Sequence, residues 1–210
     1  MSCHLRPTHD SMKDELLKHG VVNTITMYGS ARHPESNDEF GFYARVRNLF
    51  NKIAKTFPSH GLITGGGPGL MEAANRGAQE NGMKSIGVNI LLPFEQEPNR
   101  YIDDGLCFES TKFYRRKPLT TINTKAYVIC PGGFGTMDEM FELLTLMQTL
   151  MMDEVPIIIY DLDGFGEPIM GLINWMVEHG TISEKDLDLL TVTKKDEEVL
   201  MKLYNQLGDE

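Results

Sequence analysis

Only three of the 210 residues are cysteine. Cys3, Cys107 and Cys130 are odd in number and far apart, so neither a disulfide framework nor a paired zinc motif is implied, and a reducing cytoplasm fits. Positive charge is scarce too. Twenty Lys and Arg against 30 Asp and Glu leave a net charge of −10 and a pI near 5.1, a balance that excludes a broad nucleic-acid or anionic-membrane surface. Long apolar runs are missing: the N-terminus has no apolar core of signal-peptide length, and Leu143 to Met152 is interrupted and too short to span a bilayer. A soluble, cytoplasmic protein is expected. The six histidines have no metal-ligand spacing, so neither a metal nor a cofactor is expected. Repeats, low-complexity tracts and linker composition are also lacking, which leaves a single domain over residues 1–210, with 1–20 as an N-terminal arm or helix.

What is present is ordinary for a globular α/β chain, with 41% hydrophobic and 24% charged residues. Residues 21–28 are rich in β-branched side chains and stop at Gly29-Ser30, a strand followed by a turn. Apolar residues at Phe42, Val46, Leu49, Phe50 and Ile53 then predict a helix within 38–57. Further strands are expected at 61–64, 85–90, 106–109, 126–130, 155–160 and 187–193, and helices at 70–81, 111–123, 139–151, 168–179 and 195–207. An irregular loop, 91–104, should lie over the sheet's C-terminal edge. Trp175 reads as core or interface, and the 13 methionines as soft core filler. Alternating strands and helices with right-handed crossovers predict a Rossmann-like doubly wound, mainly parallel sheet with helices on both faces.

Three glycine-bearing turns follow strands and fall at the sheet's carboxyl edge, where such folds bind ligands. The strongest is Pro131-Gly132-Gly133-Phe134-Gly135-Thr136-Met137-Asp138-Glu139. Its glycines let backbone approach a ligand, and the first-turn amides of the following helix can hold phosphate oxygens. Glu139 is expected within that first turn, where the helix dipole favours a carboxylate. The second turn, Gly65-Gly66-Gly67-Pro68-Gly69, matches neither GxGxxG nor a P-loop but demands a tight, bare backbone. Between them Lys112, Arg115, Arg116 and Lys117 concentrate positive charge in an acidic chain. Pro118 should start or kink the helix there.

Together these segments, from Gly65 through Met71-Glu72-Ala73-Ala74-Asn75 and Arg116-Lys117 to Glu139, resemble the Lonely Guy family, once labelled possible lysine decarboxylases. The similarity runs over about residues 24–165. The stretch 89–99 looks closest to a bacterial branch with a longer loop. The resemblance implies a phosphoribohydrolase that cleaves the N-glycosidic bond of a nucleoside 5′-monophosphate, of AMP or cytokinin riboside monophosphate type, in a homodimer or a multiple of one. Glu139 and Arg116 would be catalytic. Gly132, Gly133, Gly135 and Thr136 would bind phosphate, with Gly65, Gly66, Gly67, Glu72, Lys117 and Ser30 also toward the substrate. Arg116 could orient Glu139, grip the phosphate or stabilise the departing base. A non-enzymatic nucleotide or molybdopterin-type carrier is the alternative, since such proteins share the fold and the glycine turn.

Overall fold

The computed structural model describes residues 3–92 and 97–208. Among these, eight strands build one sheet: β1 (His4–Leu5), β2 (Thr24–Tyr28), β3 (Gly61–Thr64), β4 (Lys84–Ile90), β5 (Cys107–Ser110), β6 (Thr124–Ile129), β7 (Ile157–Tyr160) and β8 (Leu190–Thr193). Their order is β1-β5-β4-β3-β2-β6-β7-β8. Every neighbouring pair is parallel. The winding reverses at β2, which pairs with β3 on one side and β6 on the other. A crevice at the carboxyl ends of β2 and β6 is therefore dictated by topology.

The helices are α1 (His9–Lys18), α2 (Phe42–Thr56), α3 (Leu70–Gln79), α4 (Phe113–Arg116), α5 (Phe134–Gln148), α6 (Gly166–Glu178) and α7 (Asp196–Leu207). On one face α2, α3 and α7 cover Ile25, Met27, Leu62, Val128 and Ile158. The other face holds two separate clusters, one under α1 with Ile63, Ile86 and Phe108, and one under α5 and α6 with Tyr127, Ile129 and Ile159. Between those clusters β2 presents threonines. Thr24 and Thr26 donate hydroxyl hydrogen bonds to the carbonyls of Ile122 and Thr120 (both 2.8 Å), and Tyr28 pairs with the Thr120 hydroxyl at 2.7 Å. The Thr-Ile-Thr-Met-Tyr alternation of β2 thus gives one oily face and one that anchors a non-helical segment across the centre of the sheet.

That segment corrects the sequence reading. A helix over 111–123 is expected, but α4 ends at Arg116 and a 3-10 turn, Lys117–Leu119, follows. Pro118 cannot donate to a helix, and the Thr120 and Ile122 carbonyls are taken by the β2 threonines. The glycine turn is corrected in the opposite sense. The helix expected at Glu139 begins at Phe134, with Gly133 as its N-cap.

Two further corrections concern the ends. Residues 4–5 form an edge strand parallel to β5, too short to carry a readable period. Cys3 and Cys107 form a disulfide across that edge, so a 104-residue separation hid a spatial neighbour, and cysteine usage no longer argues for a reducing compartment. Trp175 is not core: it is 51% exposed and stacks on His179. The methionines divide, with Met12, Met27, Met83, Met140 and Met147 buried and Met151 and Met201 exposed. Of the expected loop, Pro93 to Gln96 lie outside the described residues, whereas Asn99 reaches the β3 turn through its amide to the Gly66 carbonyl (2.8 Å). No helix among the described residues is long and apolar enough to cross a membrane.

Candidate active site

The turns after β2, β3 and β6 meet at the switch point. The Ser30 amide donates to the Pro131 carbonyl (3.0 Å), and the Leu70 amide to the Ser30 carbonyl (2.9 Å). Ser30 is thus the splice between the two glycine turns. Helix α5 starts without a side-chain cap. Its earliest intrahelical bond runs from the Met137 amide to the Gly133 carbonyl (3.1 Å), which leaves the Phe134, Gly135 and Thr136 amides as donors of the first turn with no acceptor among the described residues. The three glycines divide in role. A Cβ on Gly132 would collide with the buried Thr136 side chain, so Gly132 is required by packing. At Gly133 and Gly135 a Cβ would meet no atom within 4 Å, so their bare backbone serves the approach to the helix start.

Glu139 is the sixth residue of α5, beyond the first turn, and the dipole rationale falls with that placement. Helical spacing replaces it. Gly135 and Glu139 stand at i and i+4 on one face, separated by about 6 Å along the axis. The charge partner of Glu139 is Arg116, whose Nη2 pairs with its Oε1, and both residues are 8% exposed. Burial pushes the Arg116 pKa down while Tyr28 and Asp138 act against it, and a guanidinium starts high enough to stay protonated. Its Nε is buried and without an acceptor among the described residues. An unmet cationic donor costs stability and is the kind of exception found where chemistry outranks packing.

What seats Arg116 explains the second glycine turn. Gly65, Gly66 and Gly67 are all buried. A Cβ on Gly65 would lie 2.9 Å from Arg116 Nη1 and 2.7 Å from Met71 Sδ. The turn therefore makes room for a guanidinium. Sequence reasoning missed the side chains bracing it from inside. Asn99 Nδ2 donates to the Gly67 carbonyl (3.0 Å) and to Asn75 Oδ1 (2.9 Å), and the Thr64 hydroxyl donates to Asn75 Oδ1 (2.6 Å). Asn89, oriented so that its amide nitrogen meets acceptors, donates to the carbonyls of Gly65 (2.8 Å) and Gly66 (3.2 Å). Asn89, a polar residue inside the apolar β4 run, is the one signal that could have pointed to them.

Other expected site residues are placed differently. Lys117 bridges Asp138 (2.8 Å) and Glu142 (3.0 Å) of α5. Burial lowers its pKa, but the two carboxylates outweigh that and leave it raised. Adjacent cations Arg116 and Lys117 thereby clamp the 3-10 turn to α5. Arg115 packs near the Tyr114 ring, while Arg116 holds the carboxylate, so the structure distinguishes the doubled arginines. Glu72 accepts from the Tyr43 hydroxyl (2.9 Å). Behind Glu139 a cavity of about 210 Å³ is bordered by Tyr28, Pro118, Glu142, Leu143 and Met152.

An all-parallel sheet with glycine turns gathered at its switch point defines the class of Rossmann-like α/β proteins. Within that class, the chain belongs to the family described as possible lysine decarboxylase, whose model matches residues 71–203. It is 28% identical over 145 residues to the cytokinin riboside 5′-monophosphate phosphoribohydrolase LOG of Oryza sativa subsp. japonica, covering 68% of this chain and 58% of that protein. It is 27% identical over 145 residues to LOG3 of Arabidopsis thaliana, covering 68% of this chain and 66% of that one. The chain thus matches somewhat less than two thirds of these relatives' lengths. Among solved structures, the molybdenum cofactor carrier protein of Chlamydomonas reinhardtii superposes with a TM-score of 0.57 at 19% identity, over 90% of this chain and 99% of that one, a likeness of fold.

Proposed function

We propose that this protein hydrolyses the N-glycosidic bond of a nucleoside 5′-monophosphate, releasing the free base and ribose 5-phosphate. The observation that carries the reading is the buried Arg116–Glu139 pair beside an uncapped, glycine-bared helix start. The phosphate would rest on the Phe134, Gly135 and Thr136 amides, where backbone donors and the helix dipole favour an anion. The ribose then lies along α5 toward Glu139. As the C1′–N bond breaks, positive charge grows on the sugar, and a fixed carboxylate in a dry setting stabilises it. Glu139 also accepts a proton from the water whose oxygen bonds to C1′; that proton passes to the nitrogen of the departing base, directly or through solvent, which restores the carboxylate. Arg116 holds the carboxylate in place. The cavity behind Glu139 has room for a planar base.

A carrier needs no such charged pair, and a lysine decarboxylase needs a lysine free to bear pyridoxal phosphate, whereas Lys117, the lysine at this site, is held by Asp138 and Glu142. Relatives named as phosphoribohydrolases support the enzymatic reading. Incubation with AMP and a panel of other monophosphates, with products separated by chromatography, is the test. We expect base release by the wild type and a fall of about 10²- to 10⁴-fold in Glu139→Gln, which keeps the shape and removes the charge. Tight binding of an intact nucleotide without turnover would replace this reading with the carrier. The same proposal includes a cytoplasmic homodimer, using the exposed Leu150 and Met151 beyond α5. A monodisperse monomer in light scattering would contradict it.

A further inference from the structure

The Cys3–Cys107 bridge stands on the same strand that delivers the catalytic arginine. Cys107 opens β5, and β5 runs through Ser110 into α4, which ends at Arg116. On its outer edge, among the described residues, β5 pairs with β1, a two-residue strand registered His4 to Phe108 and Leu5 to Glu109, with one further backbone bond from the Arg6 amide to the Glu109 carbonyl (2.8 Å). So short a strand is weakly held by its ladder; the His4 ring adds a bond to the Gly105 carbonyl (2.9 Å) and a stack on Phe108, and the covalent bridge secures it. On its inner side the Cys107 sulfur packs against the carbonyl end of the Asn89 side-chain amide. The opposite side of that amide meets the Gly65 and Gly66 carbonyls, and Gly65 is the seat of the Arg116 guanidinium. Two physical routes, one along β5 and one through Asn89, thus connect the bridge with Arg116.

We propose that Cys3–Cys107 is a thiol–disulfide redox site that controls the placement of Arg116. Cys107 is fully buried, whereas Cys3 is half-buried, so a dithiol reductant attacks at Cys3. Its first thiolate bonds to the Cys3 sulfur and expels the Cys107 thiolate, which takes up a proton. The second thiol then displaces Cys3 as a thiol, and the reductant leaves as a disulfide, two electrons having passed to the protein. Reduction frees β1, turns β5 into a bare edge and loosens α4. Cys130, buried and unpaired, takes no part.

Denatured, non-reduced protein titrated with a thiol reagent should show one free thiol per chain; three would overturn the proposal. Amide hydrogen exchange should then be compared among oxidised wild type, wild type reduced with dithiothreitol, and Cys3→Ser. We expect faster exchange in segments 4–6 and 107–116 for both altered forms, no further effect of dithiothreitol on Cys3→Ser, and little change in β6 and β7. Unchanged exchange at 107–116 overturns the coupling. The activity arm rests on the hydrolase reading: reduction should lower kcat for AMP by about five- to tenfold with KM held, a typical size for coupling between sites. Equal rates overturn control of the site. Failure of every form to release base would refute the hydrolase reading instead, and the exchange measurement would still decide the redox site.

Discussion

Gly65 and Glu139 show how one residue's role is set by what it must sit beside. Gly65 has no left-handed backbone to excuse it, unlike Gly66 and Gly69 with φ of 71° and 70°. Its reason is the guanidinium against it. In Gly65→Ala the atoms met are the ends of two flexible side chains, Met71 and Arg116, so the chain should still fold, at a cost of about 1–3 kcal/mol. The displaced guanidinium would release Glu139 from its position, and kcat should drop about 10²-fold, the scale for a group misplaced by an ångström. Steady-state kinetics beside a thermal melt test this; an alanine variant with full kcat would show that the seat is dispensable. The sequence marked Arg116 and Glu139 as the chemical pair through their motif. Their mutual contact was one of three roles left open for Arg116, and the sequence could not choose it, because it depends on Pro118 and the β2 threonines ending a helix early.

At the scale of elements, most strands and helices were legible from period and glycine punctuation, β3 to the residue. The misreadings arose where tertiary contacts override propensity. Glycines read as loop, yet Gly133 caps α5 and Gly135 lies in its first turn. A glycine inside a helix costs about 0.5–1 kcal/mol relative to alanine, so Gly135 stays against the helix's interest. Gly135→Ala meets open space and should therefore stabilise the fold, raising the unfolding midpoint by about 1–3 °C for a chain of this size. It should also raise KM for the monophosphate severalfold by crowding the amides. If calorimetry finds the stabilisation and kinetics find KM unchanged, the phosphate binds elsewhere. The buried Thr64–Asn75–Asn99 network was invisible for a related reason: its members are 11 and 24 residues apart and meet only when β3, α3 and the 97–104 segment pack.

Across the whole molecule, ionisation should set a two-sided stability window. Glu80 is held below the usual carboxylate range by Arg47, then Asn51 and Arg76, against the effect of burial. Asp196 is raised by burial but pulled down further by Lys52 and Tyr160. Groups depressed in the fold contribute stability that is present above their unfolded values, near 4, and lost as pH falls through the folded ones. Burial raises Tyr28, Tyr127 and Tyr160. An acid kept neutral in the fold contributes nothing below its unfolded value, near 10, and destabilises above it, because only the unfolded chain then sheds the proton. Lys52 is raised chiefly by Asp196, and that stabilisation also fades as pH rises through its folded value. Unfolding midpoints should be flat between about pH 5 and 9 and fall outside that range. A midpoint that keeps rising below pH 4 would mean the carboxylate pairs contribute nothing.

The ion pair at the centre also has a temporal meaning. Arg116 is seated by the β3 turn on one wing of the sheet, and Glu139 rides on α5 over the other wing. Within the sheet the two wings meet at β2, whose pairing with β6 closes a loop of about 100 residues. Parallel pairings so distant along the chain are slow to form. The pair in its seated form, with the guanidinium against the β3 turn and the carboxylate on α5, therefore needs that slow closure. The proposed site is thereby assembled no earlier than the sheet that carries it.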